Sequence, residues 1–183
     1  MKINNYYKQK QIIARVDRKG NVIGKVEKWE AHRKGILHLG FTAILIYNGY
    51  YVIQHRKHPA FDGVFDLTFS SHQLFIQNNL QTTLEAVLEA LKREYHIVDR
   101  KDLVSKPKNL GSLYYKAKDP KSEFTEHEID EILVIKIKHL PSPNLDFAYG
   151  YSLVKRSELK NKKGRIYQNL APWAREIIAQ KFI

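Results

Sequence analysis

The sequence contains no cysteine and a single methionine. Thiolate chemistry and any disulfide framework are therefore excluded. No stretch approaches the ~18 consecutive apolar residues that a membrane span needs. The opening Met1-Lys2-Ile3-Asn4-Asn5-Tyr6-Tyr7 lacks the apolar core of a secretory leader. These absences predict a cytoplasmic protein that does not enter a membrane. Internal repeats and low-complexity segments are missing too. Acidic residues are the minority, with 19 Asp and Glu against 31 Lys and Arg and a formal net charge of +12. Such an excess favours anionic partners, among them nucleic acid, an acidic surface or a diphosphate. The basic residues are scattered, however. The only tight cluster, Lys160-Asn161-Lys162-Lys163-Gly164-Arg165, has no interleaved aromatics and reads as a solvated surface. Nucleic acid is thus not the favoured partner. Nothing in the sequence specifies an oligomeric state. A chain of 183 residues suffices for one domain with a real core, spanning 1–183.

Gln11 to Asp17 and Val22 to Glu27 are short β-prone runs joined by Asp17-Arg18-Lys19-Gly20-Asn21, which has turn chemistry. Residues 28–35 read as a polar connector. Phe41 to Tyr47 is a nearly continuous apolar run, and Asn48-Gly49 links it to Tyr50–Gln54 as a hairpin. A basic loop over 55–62 follows, and Val64 to Phe69 reads as one more strand. Leu80, Leu84, Val87, Leu88, Leu91 and Tyr95 recur at helical spacing, with a capping box at Thr82-Thr83-Leu84-Glu85. On that helix Glu85, Glu89 and Arg93 face away from the apolar stripe, while Glu94 lies on its flank beside Ala86 and Ala90. Strands are predicted over 109–118, 132–138 and 149–154, and helices over 157–160 and 172–181, with Pro172 in a first turn. The pattern predicts an α+β domain, a mixed sheet packed against helices.

Chemistry-bearing residues gather at strand ends. His32 and His38 bracket the start of the Phe41 strand, and His72 follows Ser70-Ser71. If 126–130 is extended, Glu126 and Glu128 share a face and His127 points away. Three imidazoles and two carboxylates suit one divalent metal. Nitrogen donors suit Zn2+ or Mn2+, and carboxylates admit Mg2+.

Several segments, in order, resemble those of type 1 isopentenyl-diphosphate isomerases, a branch of the Nudix superfamily. They are Lys28-Trp29-Glu30-Ala31-His32, His38-Leu39-Gly40-Phe41, Gly63-Val64-Phe65, Ser70-Ser71-His72, Leu113-Tyr114-Tyr115-Lys116-Ala117, Glu126-His127-Glu128-Ile129-Asp130 and Ala171-Pro172-Trp173. The resemblance runs from about Val26 to about Ala179. It implies a Nudix fold with additional N-terminal strands and C-terminal helices. It implies a metal site of His32, His38, His72, Glu126 and Glu128, and a second, diphosphate-associated magnesium bound with the help of Glu94. It further implies diphosphate contacts from Lys28 and from the loop bearing Arg56 and Lys57, and a pocket for a five-carbon chain walled by Tyr115 and Trp173. The implied partner is a small prenyl diphosphate. The implied reaction moves a double bond by adding a proton to one face of an alkene and removing another from the opposite face. Glu128 and Tyr115 would serve one face.

The resemblance breaks at the other face, where the family places a cysteine and this chain has Ser70. A thiol titrates near pH ~8.5, whereas a serine hydroxyl needs a neighbouring base to act. The helix departs as well. A Nudix hydrolase box ends in several carboxylates; in Glu89-Ala90-Leu91-Lys92-Arg93-Glu94-Tyr95-His96 only Glu94 holds such a place, and the family's helix arginine is absent. An isomerase-like protein is thereby favoured over two alternatives. One is a Nudix diphosphohydrolase acting on a nucleotide or prenyl diphosphate. The other is a non-catalytic protein that binds a diphosphate or nucleic acid.

Overall fold

The computed structural model describes residues 5–183. Residues 1–4, part of the stretch read as lacking a leader, lie outside the described residues. A short helix α1 (Asn5–Lys8) precedes the hairpin of β1 (Ile12–Val16) and β2 (Val22–Glu27). The Asp17 carboxylate closes the turn by accepting from the amides of Lys19 and Asn21.

The segment read as a connector is a helix, α2 (Lys28–Lys34). Glu27 caps it by accepting from the Glu30 amide at 2.8 Å, and Gly35 ends it at φ 60°. Both are ordinary helix-boundary devices. The apolar periodicity is too short to reveal them, because the inward face of α2 is Lys28, Ala31 and His32.

Strand β3 (His38–Tyr47) is the centre of the sheet. Asn48 and Gly49, both at positive φ, turn it into β4 (Tyr50–Arg56). The two strands pair directly only at Ile46–Tyr51 and Tyr47–Tyr50, and then part. The gap is filled by what sequence predicts as a single strand over 64–69. The chain there divides into β5 (Phe65–Asp66), which pairs with β4, and β6 (Phe69–Ser71), which pairs with β3. Thr68 makes the break at φ 82°. It is fully buried; its Oγ1 accepts from the Leu45 amide at 2.9 Å and donates to the Val52 carbonyl. One hydroxyl thus satisfies both diverging strands. A small hairpin, β7 (Phe75–Ile76) and β8 (Asn79–Leu80), leads to α3 (Thr83–Tyr95), which carries the predicted Thr82/Glu85 capping box.

Strands β9 (Lys108–Lys118) and β10 (Thr125–Ile137) are long and antiparallel, and β10 runs parallel to β3 from Glu128–His38 to Ile137–Tyr47. Strand β11 (Ala148–Val154) pairs with β4, and helices α4 (Arg156–Lys160), α5 (Arg165–Asn169) and α6 (Pro172–Ala179) complete the chain.

The inward faces of β3 and β10 alternate. Phe41, Ala43, Leu45, Leu133 and Ile135 pack on Val87, Leu91 and Tyr95 of α3. Ile44, Ile132, Leu113 and Tyr115 pack on Trp173, Ala174 and Ile177 of α6. The mixed sheet is therefore covered on both faces, as expected for α+β architecture. No helix among the described residues is long and apolar enough to cross a membrane.

Candidate active site

Strand register assembles the site. On β10 Glu128 lies directly opposite His38 of β3 on one side and Tyr115 of β9 on the other. Glu126 is two residues away on the same face. His32 comes from α2 and His72 from the end of β6. One donor atom from each of His32, His38, His72, Glu126 and Glu128 lies within 4.8 Å of all the others, and all five residues are buried. His32 Nε2 is 3.0 Å from Glu126 Oε2; His38 Nε2 and His72 Nε2 are 3.3 and 2.9 Å from Glu128 Oε1.

The chemistry of this donor set fits a cation. His32 Nδ1 lies 2.6 Å from the Lys28 carbonyl and His38 Nδ1 lies 2.7 Å from the Ile36 carbonyl. A carbonyl only accepts, so each Nδ1 carries a proton, and in the neutral ring each Nε2 turns a lone pair to the cluster. Those Nε2 atoms face carboxylate oxygens, and both are buried without a well-formed hydrogen bond among the described residues. A cation relieves a lone pair set against a carboxylate; a second proton on the ring or a metal ion between the two groups would supply it. The buried His/Glu cluster could therefore hold a divalent metal. Burial pushes the pKa of Glu128 up, but the neighbouring His38 and His72 outweigh it and hold the carboxyl well below its usual range.

Gly40 makes room for this carboxylate. A Cβ there would stand 2.7 Å from Glu128 Cδ. The His38-Leu39-Gly40 segment thus supplies one donor of the cluster and, two residues later, the space its carboxylate needs. His127 points away, as read from the strand: its Nδ1 faces the Gly35 carbonyl at 2.8 Å and its Nε2 faces Tyr114.

Beside the cluster is a narrow cleft lined by Lys28, Arg56, His58, Ser70, Tyr115 and Trp173, together with His72 and the two glutamates. Tyr115 donates from its hydroxyl to Glu128 Oε2 at 2.6 Å. Burial, followed by the charge of Glu128, pushes the Tyr115 pKa well up, so the phenol is protonated in the resting site. Lys28 Nζ sits over the rings of Tyr6, Tyr7 and Trp29 at 4.8–5.7 Å. Burial, then Arg93, pulls its pKa down to about 8.

Other predicted residues are placed differently. Glu94 is buried but stands outside the five-donor cluster; its Oε1 accepts from Arg93 at 2.8 Å and its Oε2 from Gln54 at 3.2 Å. Lys57 donates to the Leu145 carbonyl at 2.7 Å and does not line the cleft. Arg93, read as facing away, folds back. Its guanidinium lies 4.3 Å from the Tyr6 ring and donates to Ser71 Oγ at 3.4 Å, while its Nε is buried without a hydrogen-bond partner among the described residues. The cleft side therefore has a helix arginine after all, displaced along α3. Asp66 reads in the sequence only as one residue of the 64–69 strand, just past Gly63-Val64-Phe65, and His58 only as part of the basic loop, so neither is singled out. Asp66 is fully buried beneath Trp173, whose Nε1 donates to Asp66 Oδ1 at 2.9 Å.

Comparisons with known proteins bear on ancestry and fold. The chain is 30% identical over 182 residues to the chloroplastic isopentenyl-diphosphate Delta-isomerase II of Arabidopsis thaliana, covering 89% of this chain and 64% of that protein. The chain is a homologue of the isopentenyl-diphosphate isomerases. It is also 27% identical over 184 residues to isopentenyl-diphosphate Delta-isomerase 1 of Bos taurus, covering 92% of this chain and 80% of that protein. It spans less than two thirds of the length of the two Arabidopsis isomerases. No family model matches. Among solved structures, a Deinococcus radiodurans protein superposes with a TM-score of 0.67 at 14% identity, covering 92% of this chain and 98% of that one. The Nudix domain of Shewanella oneidensis NrtR, solved with ADP ribose, superposes at 0.50 and 14% identity, covering 78% and 84%. The fold of this isomerase homologue is a Nudix fold.

Proposed function

We propose that this chain is a divalent-metal-dependent isomerase of a small prenyl diphosphate, with isopentenyl diphosphate the first substrate to test. The observation that carries the reading is the sharing of one cleft by Tyr115–Glu128, Ser70 and Trp173 beside the five-donor cluster. His32, His38, His72, Glu126 and Glu128 would hold the metal, for which Mg2+, Mn2+ and Zn2+ all suit some of the donors. When bound, it would supply a fixed positive charge that keeps Glu128 ionised and oriented.

This chain's own residues do the rest. Lys28, Arg56 and Arg93 provide buried cationic groups for a diphosphate, whose binding positions a small apolar tail against Trp173 and Tyr115. The Tyr115 hydroxyl holds a proton beside Glu128, in reach of one face of an alkene. The indole face would stabilise a developing tertiary cation by roughly 0.5–2 kcal/mol.

Hydrolysis is disfavoured by the carboxylates of α3. Glu85 is engaged in its capping box, Glu89 lies on the outer surface near Ile76 and Leu80, and Glu94 is paired with Arg93. The test combines metal analysis of the purified protein with conversion of isopentenyl diphosphate in D2O, followed by NMR. Bound metal and deuterium-labelled isomer are expected. A protein without metal that converts nothing, as wild type or as Ser70→Cys, would refute the reading, and so would release of inorganic phosphate in place of isomerisation.

A further inference from the structure

The proton chemistry of the second face has no evident owner, since a serine hydroxyl is too weak an acid to act unaided. Asp66 changes that. In a straight strand, residues four apart lie ~13 Å from each other at ~3.3 Å per residue. The break at Thr68 instead brings Asp66 Oδ2 to 3.0 Å from Ser70 Oγ. This is within the ~2.6–3.2 Å reach of a base for the proton it takes. We propose that Asp66 is the positioning base of the second face, moving the proton of the cleft through Ser70 Oγ. The inference rests on the isomerase reading above and names what replaces the thiol.

The surrounding hydrogen bonds support a group that can both take and return a proton. Ser70 Oγ touches Asp66 Oδ2 and, at 3.0 Å on its other side, Thr42 Oγ1. Thr42 donates its single proton to Asp130 at 2.8 Å, so towards Ser70 it is an acceptor. The same heavy atoms therefore accommodate two proton arrangements. In one, Ser70 donates to an ionised Asp66. In the other, a protonated Asp66 donates to Ser70, and Ser70 donates to Thr42. Only protons move between them; the heavy atoms stay in place. Asp66 is held for this task by Trp173 Nε1 and the Leu67 amide on Oδ1 and by Arg56 Nη1 on Oδ2 at 3.3 Å. Burial pushes its pKa up against the opposing pull of Arg56, Trp173 and Ser70, which moves a carboxylate towards the range of a working base.

The step balances. Ser70 Oγ takes a proton from a substrate carbon while the hydroxyl's own proton passes to Asp66 Oδ2. The electron pair of the broken C–H bond becomes the new π bond. At the far end of the alkene, the old π pair forms a C–H bond with the proton supplied by the Tyr115–Glu128 pair. Substrate gains one proton and loses one. Exchange with water then resets Asp66 and the Tyr115–Glu128 pair, and the reverse turnover runs the same moves backward.

The test uses the metal-loaded protein and isopentenyl diphosphate. Asp66→Asn keeps the shape but cannot take a proton, and should lower kcat by ~100-fold or more, the usual worth of a general base, with KM and metal content unchanged. Adding Ser70→Cys to Asp66→Asn should restore at least ~10-fold, because a thiol titrating near pH ~8.5 needs no helper. The pH–rate profile of that double variant should follow the thiol. Should Asp66→Asn fail to fold, Ser70→Ala decides, since it leaves the Asp66 contacts to Arg56 and Trp173 in place; it should show the same loss in kcat. Near-wild-type kcat in Asp66→Asn or Ser70→Ala overturns the inference while leaving the isomerase reading intact. Failure of cysteine to rescue a folded, metal-bound Asp66→Asn also overturns it. A wild type that turns over only after Ser70→Cys overturns it as well. Wild type and Ser70→Cys both without turnover remove the isomerase reading and this inference together.

Discussion

Lys28 should make the folded protein less stable at neutral pH than it would be without its charge. Its side chain is almost fully buried, and its pKa is pulled from 10.5 to about 8. The folded state thus binds this proton more weakly than the unfolded chain does. The cost is fully present below pH 8, where both states are protonated, and disappears as pH rises from 8 towards 10.5. At ~1.36 kcal/mol per pH unit it amounts to roughly 3 kcal/mol. Lys28→Met retains the stem and discards the charge, so at pH 7 it should raise unfolding stability by roughly 2–3 kcal/mol. The gain should fade by about pH 10.5, the ordinary lysine value. Urea titrations of wild type and variant at both pH values, with chelator present, measure this. The same variant should bind inorganic diphosphate roughly 10- to 100-fold more weakly, the loss of one hydrogen bond to a charged partner, read by calorimetry. A Lys28→Met protein that is less stable at pH 7, or equally stabilised at both pH values, would refute the reasoning.

Two further outcomes follow from packing. Gly40→Ala places a methyl group 2.7 Å from Glu128 Cδ, which must displace the carboxylate; metal affinity should fall by roughly 10- to 100-fold, as for other disturbances of ligand orientation, measured by metal titration. Thr68→Ala leaves the buried Leu45 amide without its acceptor and should cost roughly 1–3 kcal/mol in chemical denaturation.

Much of this molecule is legible in its sequence where a local rule governs it. The Asn48-Gly49 hairpin, the Thr82/Glu85 capping box and the alternation that places Glu126 and Glu128 on one face all follow from short-range geometry. The five donors are legible as residue types at strand ends, and the register of β10 with β3 is what makes them converge. Three features escaped. Helix α2 lacks an apolar stripe because its inward face is Lys28, Ala31 and His32. Arg93 lies on the outward side of a helical wheel, yet its long stem curls back over Tyr6. The break at Thr68 has no signal, because a threonine at φ 82° is a tertiary imposition: Leu45 and Val52 hold the hydroxyl from two separate strands. Asp66 was invisible for the same reason. Only the break puts it beside Ser70.

The aromatic cover on Lys28 has a kinetic consequence. The cleft holds a cavity of about 10 Å³, near the space of one water molecule, and a five-carbon diphosphate cannot enter it as it stands. Tyr7 leans on His58 at 4.8 Å between ring centres, and Tyr6 and Tyr7 both pack on Phe147. Besides these ring contacts, α1 is tied to the body by Trp29 Nε1 on the Tyr7 carbonyl, the Tyr7 hydroxyl on the Lys57 carbonyl and Gln11 Nε2 on the Tyr6 carbonyl. If the proposed diphosphate is to reach the ammonium, this segment must first undock, which would make capture a two-step event. Association should saturate with ligand concentration at the undocking rate, and the residence time of a bound diphosphate should be set by how firmly two tyrosines settle back over it.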